Sequence, residues 1–105
     1  MSDKKVLNII KDLAQQVIPQ DGHLWLFGSH ARGDSRSDSD WDLLVIVNKD
    51  KLTQEDYDNI TYPFIELGWN IGQQINPIMY TKYDWENNSF TPFYHNVQQD
   101  KVVLL

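Results

Sequence analysis

The sequence contains no cysteine and only two arginines among its 105 residues. The lack of cysteine excludes disulfide bonds and metal sites built from thiolates. Arg32 and Arg36 fall in one short segment, the lysines form no stripe, and the formal net charge is −6. Non-specific binding of nucleic acids depends on Lys and Arg side chains that neutralise phosphates, so this composition disfavours a long polynucleotide as a partner.

Long apolar runs are absent as well. No apolar stretch approaches the roughly 18–20 residues that a membrane-spanning helix requires. The first residues lead into an amphipathic segment instead of the apolar core of a signal peptide. No repeat, low-complexity tract or linker divides the chain. We therefore expect residues 1–105 to form a single domain that is cytoplasmic and has no membrane partner.

Hydrophobic periodicity predicts helices that alternate with short strands. The helical segments are expected at residues 3–18, from Thr53 through Leu67 with an interruption at Pro63 and an end at Gly68, after Lys82, and from Pro92 to about residue 98. The strands are expected at residues 23–27, 43–47, 71–80 and 102–105. This order predicts an α/β fold: a short mixed β-sheet of three or four strands with helices mainly on one face.

The segment between the first two predicted strands carries the clearest chemical signal. Gly28-Ser29 ends the first strand, ten residues follow, and Asp40-Trp41-Asp42 opens the second. Side chains alternate along a strand, so Asp40 and Asp42 are expected to share one face. Two carboxylates this close repel each other unless a cation lies between them. Hard oxygen ligands favour Mg²⁺ or Mn²⁺, and Mg²⁺ commonly combines one or two carboxylates with waters and substrate phosphates. A nucleoside triphosphate is therefore the predicted ligand.

The residues around the two acids suit phosphate binding. Gly28 lets a phosphate approach the backbone closely, and Ser29 offers a hydroxyl and an N–H group. The hydroxyl of Ser39 is a candidate to position the nucleotide. Arg32 has two interpretations, because it could hold a triphosphate oxygen or pair with the acids around it and brace the loop. An isolated Asp-x-Asp pair is a weak signal, whereas the Gly-Ser pair at a fixed distance before it is more restrictive.

These residues resemble a known signature. Gly28–Gly33 followed by Ser39–Leu43 is similar to the motif of the minimal nucleotidyltransferases, which belong to the DNA polymerase beta-like superfamily. The resemblance implies a nucleotidyltransferase-like fold in which Asp40 and Asp42 bind the metal and the Gly28-Ser29 turn holds the triphosphate of ATP. It also implies an antitoxin role, in which AMP is transferred to a hydroxyl of a HEPN-type toxin partner.

The third predicted strand departs from the family pattern. Catalytically complete members carry a third acid there, whereas residues 73–80 contain no Asp or Glu and offer Asn76 as the best positional substitute. A neutral amide can bind a metal weakly or hydrogen-bond an attacking hydroxyl, but it cannot act as a general base. Without a replacement, the loss costs about 10²–10⁴-fold in rate.

Two hypotheses follow from the missing acid. The chain is a Mg²⁺-dependent nucleotidyltransferase, with residual or partner-completed activity, or it is an inactive nucleotide-binding module that neutralises a partner by direct contact. A transferase acting on a small molecule is less favoured, since no acceptor-binding segment is visible.

Overall fold

The computed structural model describes residues 1–105 and consists of one four-stranded mixed sheet flanked by helices. The strands lie in the spatial order β3-β2-β1-β4. Strand β1 is antiparallel to β2 and to β4, while β3 is parallel to β2. The predicted α/β fold with a short mixed sheet is confirmed. The strand bounds are β1 His23–Phe27, β2 Trp41–Val47, β3 Ile75–Thr81 and β4 Val102–Val103.

Six α-helices and one π-helical turn surround the sheet. Their bounds are α1 Asp3–Val17, α2 Ser29–Arg32, α3 Gln54–Asp56, the π-helical turn Tyr57–Thr61, α4 Tyr62–Ile71, α5 Lys82–Asn87 and α6 Pro92–Asp100. A Ser or Thr directly precedes each of the helices α1, α3, α5 and α6, and its side chain accepts a hydrogen bond from a backbone N–H of the first turn. None of these helices combines the length and the apolar character that a membrane crossing would need.

The larger hydrophobic core lies on the face of the sheet covered by α1 and α4. Ile10 of α1 and Phe64 of α4 are buried in one cluster with alternate residues of β2, including Leu43 and Val45. The opposite face of β2 is buried by the shorter helices α5 and α6. Because both faces of β2 are covered, this strand is an almost unbroken apolar run after its first two residues.

Helix α4 ends later than the sequence pattern indicated. Gly68, predicted as the end of this helix, lies inside it, and the helix continues to Ile71. Gly72 provides the end instead, with a φ of 71° in the left-handed region that favours glycine. Gly68 is required for another reason, because a Cβ there would collide with the carbonyl oxygen of Gln73. The third strand consequently starts at Ile75, four residues after its predicted start.

Pro63 interrupts the helical pattern through a π-helical turn. The N–H group of Tyr62 bonds to the carbonyl oxygen of Tyr57, five residues earlier, and the Thr61 hydroxyl donates to the same oxygen at 3.0 Å. Proline has no N–H to donate and its ring crowds the carbonyl four residues before it. The wider turn directly before Pro63 accommodates both constraints, so α3, the π-helical turn and α4 follow one another without an intervening loop.

Candidate functional site

Two carboxylates and one amide meet where β2 begins. Asp42 is paired across the sheet with Phe27 at the end of β1 and with Asn76 in β3, and Asp40 directly precedes β2. The Asn76 amide donates from Nδ2 to Asp40 Oδ2 at 3.0 Å and to Asp42 Oδ1 at 3.4 Å. The structure therefore brings Asp40 and Asp42 together as expected, with Asn76 beside them. Their role as metal ligands remains a prediction.

The electrostatic environment of Asp42 favours a cation. Burial raises the pKa of Asp42 above its ordinary value. The hydrogen bond from Asn76 opposes this shift, the negative charge of Asp40 adds to it, and the neighbouring His30 and Arg32 oppose it more weakly. A carboxylate whose charge is disfavoured by burial and by a second carboxylate gains stabilisation when a cation binds.

The backbone at Gly28 allows β1 to end close to Asp42. Gly28 has a φ of 77° and a ψ of −158°, a region essentially restricted to glycine. A Cβ at this position would collide with Asp42 Oδ2. The carbonyl oxygen of Gly28 accepts the N–H groups of Ala31 and Arg32, each at 3.1 Å, and Ser29 begins the short helix α2. Gly28 and Ser29 are thus adjacent to the carboxylate pair, as their phosphate-binding role requires, and that role remains a prediction.

Arg32 lies beside a cleft that adjoins Gly28. Its Nε donates to Asp34 Oδ2 at 3.2 Å, and its Nη1 is 3.7 Å from Asp100 Oδ2. The bracing interpretation is therefore realised, with Asp100 of α6 as a partner that lies far away in sequence. The Arg32 side chain is 46% exposed and remains accessible to an anionic ligand. The cleft has a volume of about 230 Å³ and is lined by Phe27, Gly28, Arg32, Phe93, Asn96, Val97 and Asp100.

His30 holds the segment before Asp40 in place, a function that the sequence pattern did not reveal. Its ring stacks on Trp41 with a centroid distance of 3.7 Å and an interplanar angle of 9°. His30 Nε2 lies 3.1 Å from the carbonyl oxygen of Ser39, and the side chain is 5% exposed. The Ser39 hydroxyl accepts the N–H of Arg36 at 2.7 Å, so it tightens the turn before the acids. Its predicted contact with the nucleotide remains a prediction.

A second and larger cleft lies beside residues 37–39, which directly precede Asp40. It has a volume of about 420 Å³ and includes Ser39 and Gln74 in its lining, together with the exposed ring of Trp69. Gln74 donates from Nε2 to Asn76 Oδ1 at 3.0 Å, which connects this cleft to the carboxylate pair. Asp40 and Asp42 line neither cleft, but residues of both clefts adjoin the pair, since Gly28 lies against Asp42 and Gln74 bonds to Asn76.

The donor atoms present fit a metal that arrives with phosphate. No group of three or more His, Cys, Asp or Glu side chains is gathered anywhere in the structure. Asp40 and Asp42 supply hard carboxylate oxygens from two side chains, which is the number that Mg²⁺ commonly takes when substrate phosphates and waters complete its octahedral shell. A tightly held metal without nucleotide would need more protein ligands than these two residues provide.

The fold agrees with comparisons against known proteins. The sequence profile of the nucleotidyltransferase domain family matches residues 3–96. This chain belongs to that family. The resemblance to the minimal nucleotidyltransferases is thereby confirmed, and it extends over most of the domain. A comparison with curated proteins finds no match.

Two solved structures share the fold of this nucleotidyltransferase domain. One is described as a toxin-antitoxin with AMP-PNP, and it superimposes with a TM-score of 0.67 at 20% identity over 94% of this chain and 72% of the other. The second is the toxin-antitoxin MntA-HpeT, in a mutant with two aspartates, two positions apart, changed to glutamate. It gives a TM-score of 0.67 at 18% identity, with the same coverage of 94% and 72%. At these identities the likeness establishes the fold.

Proposed function

We propose that this nucleotidyltransferase domain binds ATP with Mg²⁺ or Mn²⁺ and transfers AMP to a hydroxyl group of a HEPN-type toxin partner, acting as an antitoxin. The observation that carries the proposal is the convergence of Asp40 and Asp42 on one amide, beside Gly28, where a Cβ would collide with Asp42. The similar structures with toxin and AMP-PNP in their descriptions support the nucleotide and the class of partner. The proposal places the protein in the cytoplasm, where ATP is available.

In this proposal each residue contributes to a single displacement at phosphorus. An acceptor oxygen forms a bond to the α-phosphorus of ATP, the bond from that phosphorus to the β-phosphate oxygen breaks, and pyrophosphate leaves. A bound divalent cation supplies neutralisation of the negative charge that builds up around the transferred phosphorus. Asp40 and Asp42 would hold it, and Gly28 and Ser29 would hold the β- and γ-phosphates.

This site differs from that of a catalytically complete nucleotidyltransferase in how the proton of the acceptor hydroxyl is removed. The neutral amide of Asn76 cannot accept a proton near neutral pH. The proton of the acceptor hydroxyl therefore passes to solvent or to a basic group of the partner. Phosphoryl and nucleotidyl transfer depend mainly on positioning and electrostatics, which the domain retains, so slow transfer remains physically reasonable.

The alternative function is neutralisation of a partner by direct contact. The observation that favours it is the amide at Asn76 in place of a carboxylate, together with the absence of any cluster of three metal-binding side chains. In this alternative the nucleotide site has lost its chemistry and the domain inhibits the toxin as a bound partner. Nucleotide binding alone does not separate the two functions, because both permit it.

Calorimetric titration of ATP with Mg²⁺ tests the site. The wild type should bind the nucleotide only in the presence of metal, and the double variant Asp40→Asn, Asp42→Asn should lose this binding. The matched control, Asp21→Asn with Asp50→Asn, removes the same charge from exposed residues at the opposite end of the sheet and should bind as the wild type does. Equal binding by the wild type and the Asp40, Asp42 double variant would contradict the proposed site.

Coexpression with the toxin partner separates the enzyme from the contact inhibitor. An enzyme leaves a toxin whose intact mass has increased by one AMP group, and the Asp40→Asn, Asp42→Asn variant should neither modify the toxin nor protect the cells. A contact inhibitor should still protect cells after both substitutions, with the toxin mass unchanged. An unmodified but neutralised toxin in the wild-type coexpression would favour the second function.

A further inference from the structure

The two carboxylate oxygens of Asp42 face different neighbours. Oδ1 accepts the Asn76 amide of β3, whereas Oδ2 lies where a Cβ of Gly28 would be, on the side of β1. Asp40 Oδ2 also accepts the Asn76 amide. The β3 side of the carboxylate pair is therefore occupied by an N–H donor, and the Gly28 side presents an oxygen to an incoming ligand.

The orientation of the Asn76 amide is set by its other end. Asn76 Oδ1 accepts the Nε2 of Gln74 at 3.0 Å, which turns Nδ2 toward the two carboxylates. An amide NH₂ group is a hydrogen-bond donor without a free lone pair and does not coordinate a cation. While this hydrogen bond is in place, the β3 side of the pair offers no protein ligand for a metal and directs partial positive charge toward the position a metal would take.

We propose that the site holds one divalent cation, which arrives with the triphosphate and binds on the Gly28 side of the carboxylate pair. The Asn76 amide occupies the β3 side of the pair, so that no second cation binds there. This inference rests on the proposed function, since it assumes that Asp40 and Asp42 bind metal–nucleotide. Asn76 is a positioning residue in this scheme: its two hydrogen bonds keep the carboxylates together before the nucleotide arrives. A carboxylate at this position would repel Asp40 and Asp42 in the absence of metal and attract a second cation.

The number of bound Mn²⁺ ions tests the inference. Titration of Mn²⁺ into the chain with AMP-PNP, followed by electron paramagnetic resonance of the free ion, should give one Mn²⁺ per chain for the wild type. Asn76→Asp should bind two, with the affinity of the second site increased by at least about tenfold, because even residues outside the direct ligand shell alter metal affinity by that factor. The matched control is Gln73→Glu, which adds the same charge on a side chain whose oxygen accepts the Trp41 indole N–H at 3.1 Å. This control should keep one Mn²⁺.

Thermal unfolding without nucleotide gives a second readout. Added Mn²⁺ should raise the unfolding temperature of Asn76→Asp and leave those of the wild type and Gln73→Glu almost unchanged. Two outcomes would overturn the inference and leave the proposed function intact. The first is two Mn²⁺ ions of similar affinity on the wild type, and the second is a single Mn²⁺ ion on a folded Asn76→Asp variant. Should that variant not fold, the wild-type count decides alone. Failure of the wild type to bind Mn²⁺ with AMP-PNP would overturn the proposed function, and this inference with it.

Discussion

Replacement of Asp42 by asparagine should stabilise the free protein while it removes metal-dependent nucleotide binding. In the free protein the Asp42 carboxylate is partly buried and shares one hydrogen-bond donor with Asp40. Asparagine keeps an oxygen that can accept the Asn76 amide and removes the charge. Function and stability are then opposed at this position, as is common where a site holds charges that only its ligand neutralises.

The expected stabilisation follows from removal of the partly buried Asp42 charge and, as a smaller contribution, of its repulsion by Asp40. Two unit charges about 4 Å apart interact with about 1 kcal/mol in water and with more in a partly buried site. We therefore expect Asp42→Asn to add about 1 kcal/mol to the free energy of unfolding at neutral pH, which corresponds to about 4 °C in the unfolding temperature of a domain of this size.

The pH dependence of the free energy of unfolding independently checks whether Asp42→Asn stabilises the protein. The pKa of Asp42 is raised above its ordinary value of 3.8, chiefly by burial. The ionised group therefore destabilises the fold above its folded pKa, and the penalty disappears below 3.8, where it is protonated in both states. The advantage of Asp42→Asn should be present at pH 7 and vanish near pH 3.

Thermal unfolding by circular dichroism between pH 3 and pH 8, with calorimetry of ATP and Mg²⁺, measures both effects. Asp50→Asn, at an exposed position beyond the far end of β2, is the control for removal of one negative charge. A variant that is less stable than the wild type at pH 7 would refute the electrostatic reasoning. A variant that retains metal-dependent binding of ATP would refute the assignment of Asp42 as a metal ligand.

Three further substitutions test the glycine turn, the stacked His30 and an ion pair beyond the far end of β2. Gly28→Ala should lower the free energy of unfolding, measured by chemical denaturation, by about 1–3 kcal/mol because of the backbone conformation at this position. It should also abolish nucleotide binding, measured by calorimetry, through the collision with Asp42, and unchanged binding would contradict the close approach of Gly28 to Asp42. His30→Ala should cost about 1–2 kcal/mol by loss of stacking and a hydrogen bond and weaken nucleotide binding, whereas loss of stability alone would argue against a positioning role. Hydrogen bonds from Lys49 lower the pKa of Asp56, so the ionised Asp56 stabilises the fold above pH 3.8, and this stabilisation is lost as the pH falls through the lower folded pKa. Asp56→Asn should therefore reduce the loss of unfolding free energy between neutral and acidic pH.

The carboxylate pair and the sheet were predictable because they follow from short-range periodicity. Alternation along a strand predicts Asp40 and Asp42 on one face, and the apolar run of residues 43–47 predicts a strand. Pro77 predicts an edge strand or a bulge, because proline cannot donate to the hydrogen bonds of a central strand, and β3 lies at one edge of the sheet. Each of these inferences depends only on neighbours within one element.

The features that sequence reasoning missed depend on contacts between distant elements. The sequence predicts the end of α4 at Gly68 because glycine commonly ends helices, but Gly68 permits close packing against the backbone of Gln73, and Gly72 ends the helix. Asp100 reaches Arg32 only because α6 packs across the end of β1. The stacking of His30 on Trp41 likewise requires the tertiary arrangement, and no local pattern signals it.

The register between β2 and β3 connects the missing acid to the choice between the two functions. Asp42 is paired directly with Asn76, so the amide occupies the position facing the carboxylates, and no neighbouring residue of β3 substitutes for it. The two carboxylates and the glycine turn that the domain retains are the groups on which the proposed binding of metal–nucleotide depends. At the Asn76 position it lacks a base that could take the proton of the acceptor hydroxyl.

If the domain is an enzyme, removal of this proton limits its rate. A partner that supplies a base or an acidic hydroxyl should then increase transfer without changing the affinity for ATP. A contact inhibitor would show no transfer with any partner, because its inhibition depends on the shape of the docked surface and not on the carboxylates.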